Sequence, residues 1–487
     1  MRILFVSSEV TPFAKAGGLA DVSYNLPKKL AEMGHSVSVV TPKHRSSDKN
    51  RPSEKLDKKL VVPINWKEEE AEIFRSDICG VAPVYLIAKD KYFDRDGLYG
   101  NAYGDYEDNA ERFIFFSRAV LELCLAINLK PDVIHLNDWQ TGLTAAYIKS
   151  LYKEHELLAD AATVFTIHNL GAQGNFWVYD FSLTGLGWEY FTPETLEFYG
   201  HLSLIKGGLV FADVLSTVSA THASEIITPE YGFGMQGLLN HRKNDLFAIL
   251  NGVDYQDWDP RRDIHIKQNF DKNDLAPKKA CKTDLLEALK LDCRSDSPLL
   301  AIISRLVDRK GLDLVSQAFE RLLEMGIQFA IMGMGEDKYH TFFREAAAQY
   351  PDKVWFGIDY DESMAHRIHA GADMFLMPSR YEACGLDHLY GMRYGTVPIV
   401  RSTGGLDDTV QDYNESNGAG TGFKFQEYSV DALVRVFERA LRVYAMKDRW
   451  LSMMRSAMEC DFSWKKSASA YVDLYRTALD RAKVRGR

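Results

Sequence analysis

At 487 residues, with 46% hydrophobic and 26% charged side chains, the chain is too long for one ordinary core and reads as two domains of about 200 to 250 residues. The formal net charge of −10 excludes nucleic acid as a partner, because phosphates demand a basic face, and any smaller anion has to be met by a few locally placed cations. No apolar run reaches the ~20 residues that cross a bilayer, MRILFV is too short for a secretory signal, and six cysteines without a CxxC pair read as reduced thiols, so the expected location is cytoplasmic with no membrane partner.

RILFV at residues 2–6 predicts a buried strand. GLADVSYNLPKKLAEMG predicts a helix, with Leu19, Val22, Leu26 and Leu30 at helical spacing and Gly34 closing it. SVSVVTP is the next strand, and DVIHL, ATVFTIH and DVLSTVS follow, each ahead of polar turn residues and a periodic segment. This alternation is the signature of parallel α/β layers with right-handed crossovers. Between residues 255 and 298 it breaks into charged sequence containing Pro260 and Pro277. It restarts with PLLAIIS, the helix GLDLVSQAFERLLEMG and QFAIMG, then KVWFG, DMFLMP and VPIVR with helices between them. WKKSASAYVDLYRTALDRAKVRGR predicts one amphipathic helix with a solvated basic end. The expected division is residues 1–254, residues 255–460 and a terminal helix at 461–487, with both main domains doubly wound and Rossmann-like.

In open parallel sheets, ligands bind beyond the carboxyl ends of the strands. After the first strand, KAGGLADV places Lys15 beside Gly17 and Gly18, where backbone N–H groups meet an anion; alone, the segment reads equally as a tight turn. NDWQTGL follows the DVIHL strand, and the plain reading of Asp138 is a cap on the next helix. His168 ends an apolar strand, where a lone histidine is commonly a structural hydrogen-bonder. In the second half Arg305 leaves a strand end and Lys310 stands at the next helix start, a cation pair suited to a diphosphate. GMGE, with Gly333, follows QFAIM and is a weak signal by itself. Glu382 lies before a helix of small first residues, a good place for a carboxylate to grip sugar hydroxyls, and STGGLDDTV adds a second glycine pair, Gly404 and Gly405. Taken together, these residues point to a phosphorylated sugar donor and an acceptor held between two domains. A nicotinamide dehydrogenase fits poorly, since no GxGxxG follows the first strand.

KAGGLADV, HLNDW, FTIHNLGAQG, LIKGGLVFAD, LNGVD, SRLVDRKGLDL, PSRYEACGL, YGTVPIVRSTGGLDDTV and DFSW resemble, in order and spacing, the bacterial and plant-type glycogen (starch) synthase family. The resemblance implies a GT-B fold, two Rossmann-like domains facing a deep cleft, with the last helix crossing back onto the first domain. It implies a metal-independent, retaining transfer of glucose from ADP-glucose or UDP-glucose to the non-reducing end of an α-1,4-glucan such as glycogen, with no cofactor beyond the nucleotide sugar. Carried over by position, Lys15, Gly17 and Gly18 approach the donor, Asp21 lies near its ribose and phosphates, and Asp138, His168 and Asn169 lie beside the transferred glucose. Arg305 and Lys310 neutralise the leaving diphosphate, Glu382 holds the glucose hydroxyls, Gly333 and Tyr360 belong to the nucleotide side, and Gly404 and Gly405 give N–H groups to the phosphates. The sequence departs from the family pattern at Ala16, Gln140 and Ala383, and more pointedly at Asp359, Asp387 and His388, which leaves the ADP-versus-UDP choice open. The alternatives are a related transferase with another donor or acceptor, and a glycan-binding protein without turnover.

Overall fold

The computed structural model describes residues 1–101, 103–293 and 296–485, and the chain forms two units: Met1–Gly252 together with Trp464–Arg487, and Val253–Ser463. The first unit is built on a nine-stranded sheet of β1 Arg2–Val6, β2 Ser36–Pro42, β3 Glu54–Ile64, β4 Lys67–Ile78, β5 Ala82–Ala88, β6 Val133–Asn137, β7 Ala162–Ile167, β8 Val214–Thr217 and β9 Leu246–Ala248. Their order is β9-β8-β7-β6-β1-β2-β5-β4-β3. The pairings from β9 to β5 are parallel, with Ile3 of β1 opposite Val37 on one side and Val133 on the other.

Alternation along β1 divides its side chains between two cores, as expected of a parallel strand covered on both faces. Leu4 and Val6 join one cluster with Phe113, Phe116 and Leu136. Ile3 and Phe5 join the other, with Val22 and Leu26 of the helix Gly18–Glu32 and with Trp464, Tyr471 and Tyr475 of the terminal helix Trp464–Arg485. A buried hydrogen bond pins that last helix to the sheet: His135 Nδ1 and Tyr475 OH are 2.8 Å apart, and His135 Nε2 meets Thr166 Oγ1 at 2.6 Å.

The sheet is not wholly parallel. β3 and β4 form an antiparallel arm beyond β5, which the reading of parallel layers omitted. In β3 and β4 the buried positions are few and interspersed with Lys, Asp and Glu, so the stretch lacks the apolar runs that mark the central strands.

The second unit carries six parallel strands, β10 Leu299–Ile303, β11 Gln328–Met332, β12 Val354–Gly357, β13 Met374–Met377, β14 Val397–Arg401 and β15 Phe423–Phe425, in the order β12-β11-β10-β13-β14-β15. Its core draws on both faces of β10 and on the helices Leu312–Glu324 and Val430–Ala445. The order reverses between β10 and β13, the kind of switch point where such sheets bind ligands. None of the described helices is long and apolar enough to cross a membrane.

Candidate active site

In the first unit, the loops after β1, β6 and β7 lie at the carboxyl ends of three neighbouring parallel strands. Lys15 Nζ donates to Asp21 Oδ1 at 2.8 Å, and Thr11 Oγ1 reaches the same oxygen at 3.2 Å. Sequence reasoning missed what holds this loop. Glu9, only 5% exposed, accepts the N–H groups of Ala16 (2.7 Å) and Gly17 (2.9 Å) on Oε2 and the Tyr99 hydroxyl (2.6 Å) on Oε1. The anion at this helix start is therefore the protein's own carboxylate, and the exposed Lys15 is the loop's charge toward solvent. Gly17 has extended backbone that any residue adopts, and a Cβ there would meet nothing within 4 Å. Neither packing nor backbone conformation demands glycine at this point.

Asp138 does not cap the following turn, which has no side-chain cap. Its Oδ1 instead accepts the N–H groups of His168 (2.7 Å) and Asn169 (3.3 Å) at the end of β7. It holds φ +56°, a costly conformation for a side chain of this kind and one that concentrates at functional sites. Burial pushes its carboxyl up to about 7; the two N–H groups oppose that rise, and the Glu9 charge adds to it. His168 Nε2 lies 2.9 Å from Asn137 Oδ1, whose amide nitrogen is turned away to donate to the Val6 carbonyl at 2.9 Å. That network puts the His168 proton on Nε2 and a lone pair on Nδ1. Burial, with His222 nearby, holds this imidazole down to about 3, so it works as a neutral hydrogen-bonding group.

The second unit brings Lys310 and Glu382 into a direct ion pair, from the loops after the adjacent strands β10 and β13. Their side chains are 15% and 13% exposed. Ser379 Oγ donates to the same Glu382 Oε2 at 3.1 Å. Burial pushes the Glu382 carboxyl up, but Lys310, Arg309 and Ser379 outweigh it and hold the group below its ordinary value. Gly404 and Gly405 sit against this loop: a Cβ on Gly404 would lie 1.8 Å from the Glu382 carbonyl oxygen, and one on Gly405 would lie 2.4 Å from that of Cys384. The Gly405 N–H is donated to the Ala383 carbonyl at 3.1 Å, so what this structure shows for that glycine is close backbone approach. His388 is fully buried, with Nε2 at 2.6 Å from Thr409 Oγ1, which in turn donates to the Gly405 carbonyl. It braces the Gly404–Gly405 turn, and burial holds its imidazole down to about 3.

Arg305 follows β10 and is exposed, and Tyr360, 53% exposed, follows β12. Gly333 follows β11 directly, with its α-carbon against the Ser304 carbonyl, where a Cβ would stand at 1.9 Å. Asp359, the departure beside Tyr360, holds φ +76°, the left-handed region that favours glycine. Asp359→Gly is expected to stabilise the fold by about 1 kcal/mol, read from urea denaturation; equal or lower stability would contradict the strain.

Two Rossmann-like units, with cations, buried carboxylates and close-packed glycines gathered beyond their strand ends, define a GT-B glycosyltransferase. Residues 2–241 match the family described as starch synthase catalytic domain, and residues 289–453 match glycosyl transferases group 1. A glycogen synthase of Anaeromyxobacter sp. (strain Fw109-5) is 46% identical over 483 residues, covering 98% of this chain and 99% of its own. A glycogen synthase of Desulforudis audaxviator is 45% identical over 493 residues, covering 99% and 97%. The catalytic domain of starch synthase IV from Arabidopsis thaliana, solved bound to ADP and acarbose, superposes with a TM-score of 0.91 at 33% identity, covering 98% of this chain and 99% of that one. The chain belongs to the glycogen (starch) synthase family of retaining glucosyltransferases.

Proposed function

We propose that this chain transfers glucose from ADP-glucose to the non-reducing end of an α-1,4-glucan, with retention, in the cytoplasm. The observation that carries the reading is the Lys310–Glu382 pair, buried at the switch point of the second sheet and packed against Gly404. Breaking the bond to the anomeric carbon leaves extra negative charge on a nucleoside diphosphate. A fixed, largely desolvated cation is most effective where that charge develops. Lys310 takes this role together with Arg305. With Glu382 Oε2 committed to Lys310 and Ser379, Oε1 is assigned to the glucose hydroxyls.

In the first unit, the Nδ1 lone pair of His168 accepts from a sugar hydroxyl, Asn169 stands beside it, and Asp138 holds the His168–Asn169 backbone in place. Lys15, anchored by Asp21, supplies a further cation toward the donor over the open face of Gly17. Gly333 and Tyr360 take the nucleotide side, and retention follows from front-face attack within an ion pair. The ADP preference draws support from the Arabidopsis relative, which was solved with ADP.

A thermal-denaturation series with ADP, UDP, NAD and maltooligosaccharides tests the nucleotide assignment. ADP is expected to raise the melting temperature more than UDP does, a hundredfold excess of ADP over its Kd adding about 2.7 kcal/mol of stability to the unliganded protein. A shift with UDP alone would reverse the donor assignment, and no shift with either nucleotide would sink it.

A further inference from the structure

We infer that Tyr199 and Phe233 form an aromatic shelf that stacks on the glucan chain next to the His168–Asn169 loop; this rests on the proposed acceptor being an α-1,4-glucan. Tyr199 and Gly200 are the two loop residues of a hairpin whose flanking pairs are Glu197 with Leu202 and Phe198 with His201. Both loop residues have positive φ, +48° and +81°, the geometry in which the first position favours Asn, Asp or Gly. A tyrosine there is strained, and its ring does not recover the cost by burial, since Tyr199 is 80% exposed.

Phe233 repeats the pattern on a separate loop, with φ +48°, a following Gly234 at +86° and 44% exposure. The two loops touch: a Cβ on Gly234 would stand 3.5 Å from the Tyr199 ring. Gln173 Nε2 donates to the Phe233 carbonyl at 2.9 Å and fixes that loop. The shelf is continuous with the candidate site, because a Cβ on Gly171 would stand 3.4 Å from the Phe233 ring, and the Gly171 N–H donates to Asn169 Oδ1 at 3.1 Å.

Two strained residues that display rings toward solvent beside the sugar-handling loop fit a ligand with flat apolar faces. An α-1,4-glucan presents such faces on each glucose ring, with hydroxyls at the edges for the polar groups around Asn169.

Tyr199→Asn and Phe233→Asn suit the local φ while removing the rings, so both are expected to hold or raise the melting temperature. Each is expected to raise the KM for maltoheptaose about fivefold or more with the KM for the nucleotide sugar unchanged. Maltoheptaose binding, read by calorimetry without turnover, is expected to weaken in step. Unchanged maltoheptaose binding in both folded variants overturns the shelf, and so does a wild-type protein that binds no maltoheptaose. A wild type that binds maltoheptaose but releases no nucleoside diphosphate counts against the proposed reaction, while loss of binding in the variants still supports the shelf.

Discussion

Replacing Lys310 with alanine is expected to lower turnover by about 10²- to 10³-fold, the typical loss when one charge-stabilising group is removed from a preorganised site. The same change leaves Glu382 buried without its nearest cation, and breaking such a pair costs about 3 kcal/mol because an uncompensated charge remains. Burial then dominates the Glu382 carboxyl and pushes it toward the protonated form. Lys310→Met combined with Glu382→Gln removes both charges and keeps similar volumes, so it is expected to regain most of that stability and none of the activity. Steady-state kinetics and urea denaturation on the two variants separate these effects. Near-wild-type turnover in Lys310→Ala would remove this lysine from the chemistry.

Asp138 is expected to make the fold more stable as the pH falls from about 7 toward 4. Its carboxyl titrates at about 7 in the folded chain, against 3.8 when unperturbed. Between those values the folded state holds a proton that the unfolded state has lost, so stability declines with rising pH across the window and levels off above it. The full span is about 4 kcal/mol. Asp138→Asn keeps an oxygen for the His168 and Asn169 N–H groups and never ionises. The variant is expected to gain stability over the parent at pH 8 and to match it near pH 4. Denaturation midpoints for both proteins at intervals from pH 4 to 8 check this, and parallel curves would show that burial does not govern Asp138.

The strands were legible wherever they are buried on both faces, because an uninterrupted apolar run such as PLLAIIS has few other places to go. The antiparallel arm at residues 54–78 was not legible, since a half-exposed strand spreads its few apolar residues among lysines and glutamates. In the site, Lys310 and Glu382 stood out as charged residues directly beyond buried strands. Their pairing was not readable, because it joins residues 72 apart in sequence through the adjacency of two strands. Glu9 lies just beyond the first strand yet gave no local sign that it would take the Ala16 and Gly17 amides. Its second partner, Tyr99, comes from 90 residues away. Asp138 looked like a helix cap for the same reason: its true partners belong to the next strand in space. Doubled glycines were visible, but whether neighbouring backbone requires the glycine, as at 404 and 405, or leaves room for a side chain, as at 17, depends on the packed structure.

The decisive measurement is nucleoside diphosphate release from ADP-glucose and from UDP-glucose, each with and without glycogen, with incorporation of labelled glucose into the glucan followed in parallel. Rapid ADP release that requires glycogen and matches the glucose incorporated is the expected result. Release with neither donor, or release that glycogen does not affect, would contradict glucan synthesis by this chain.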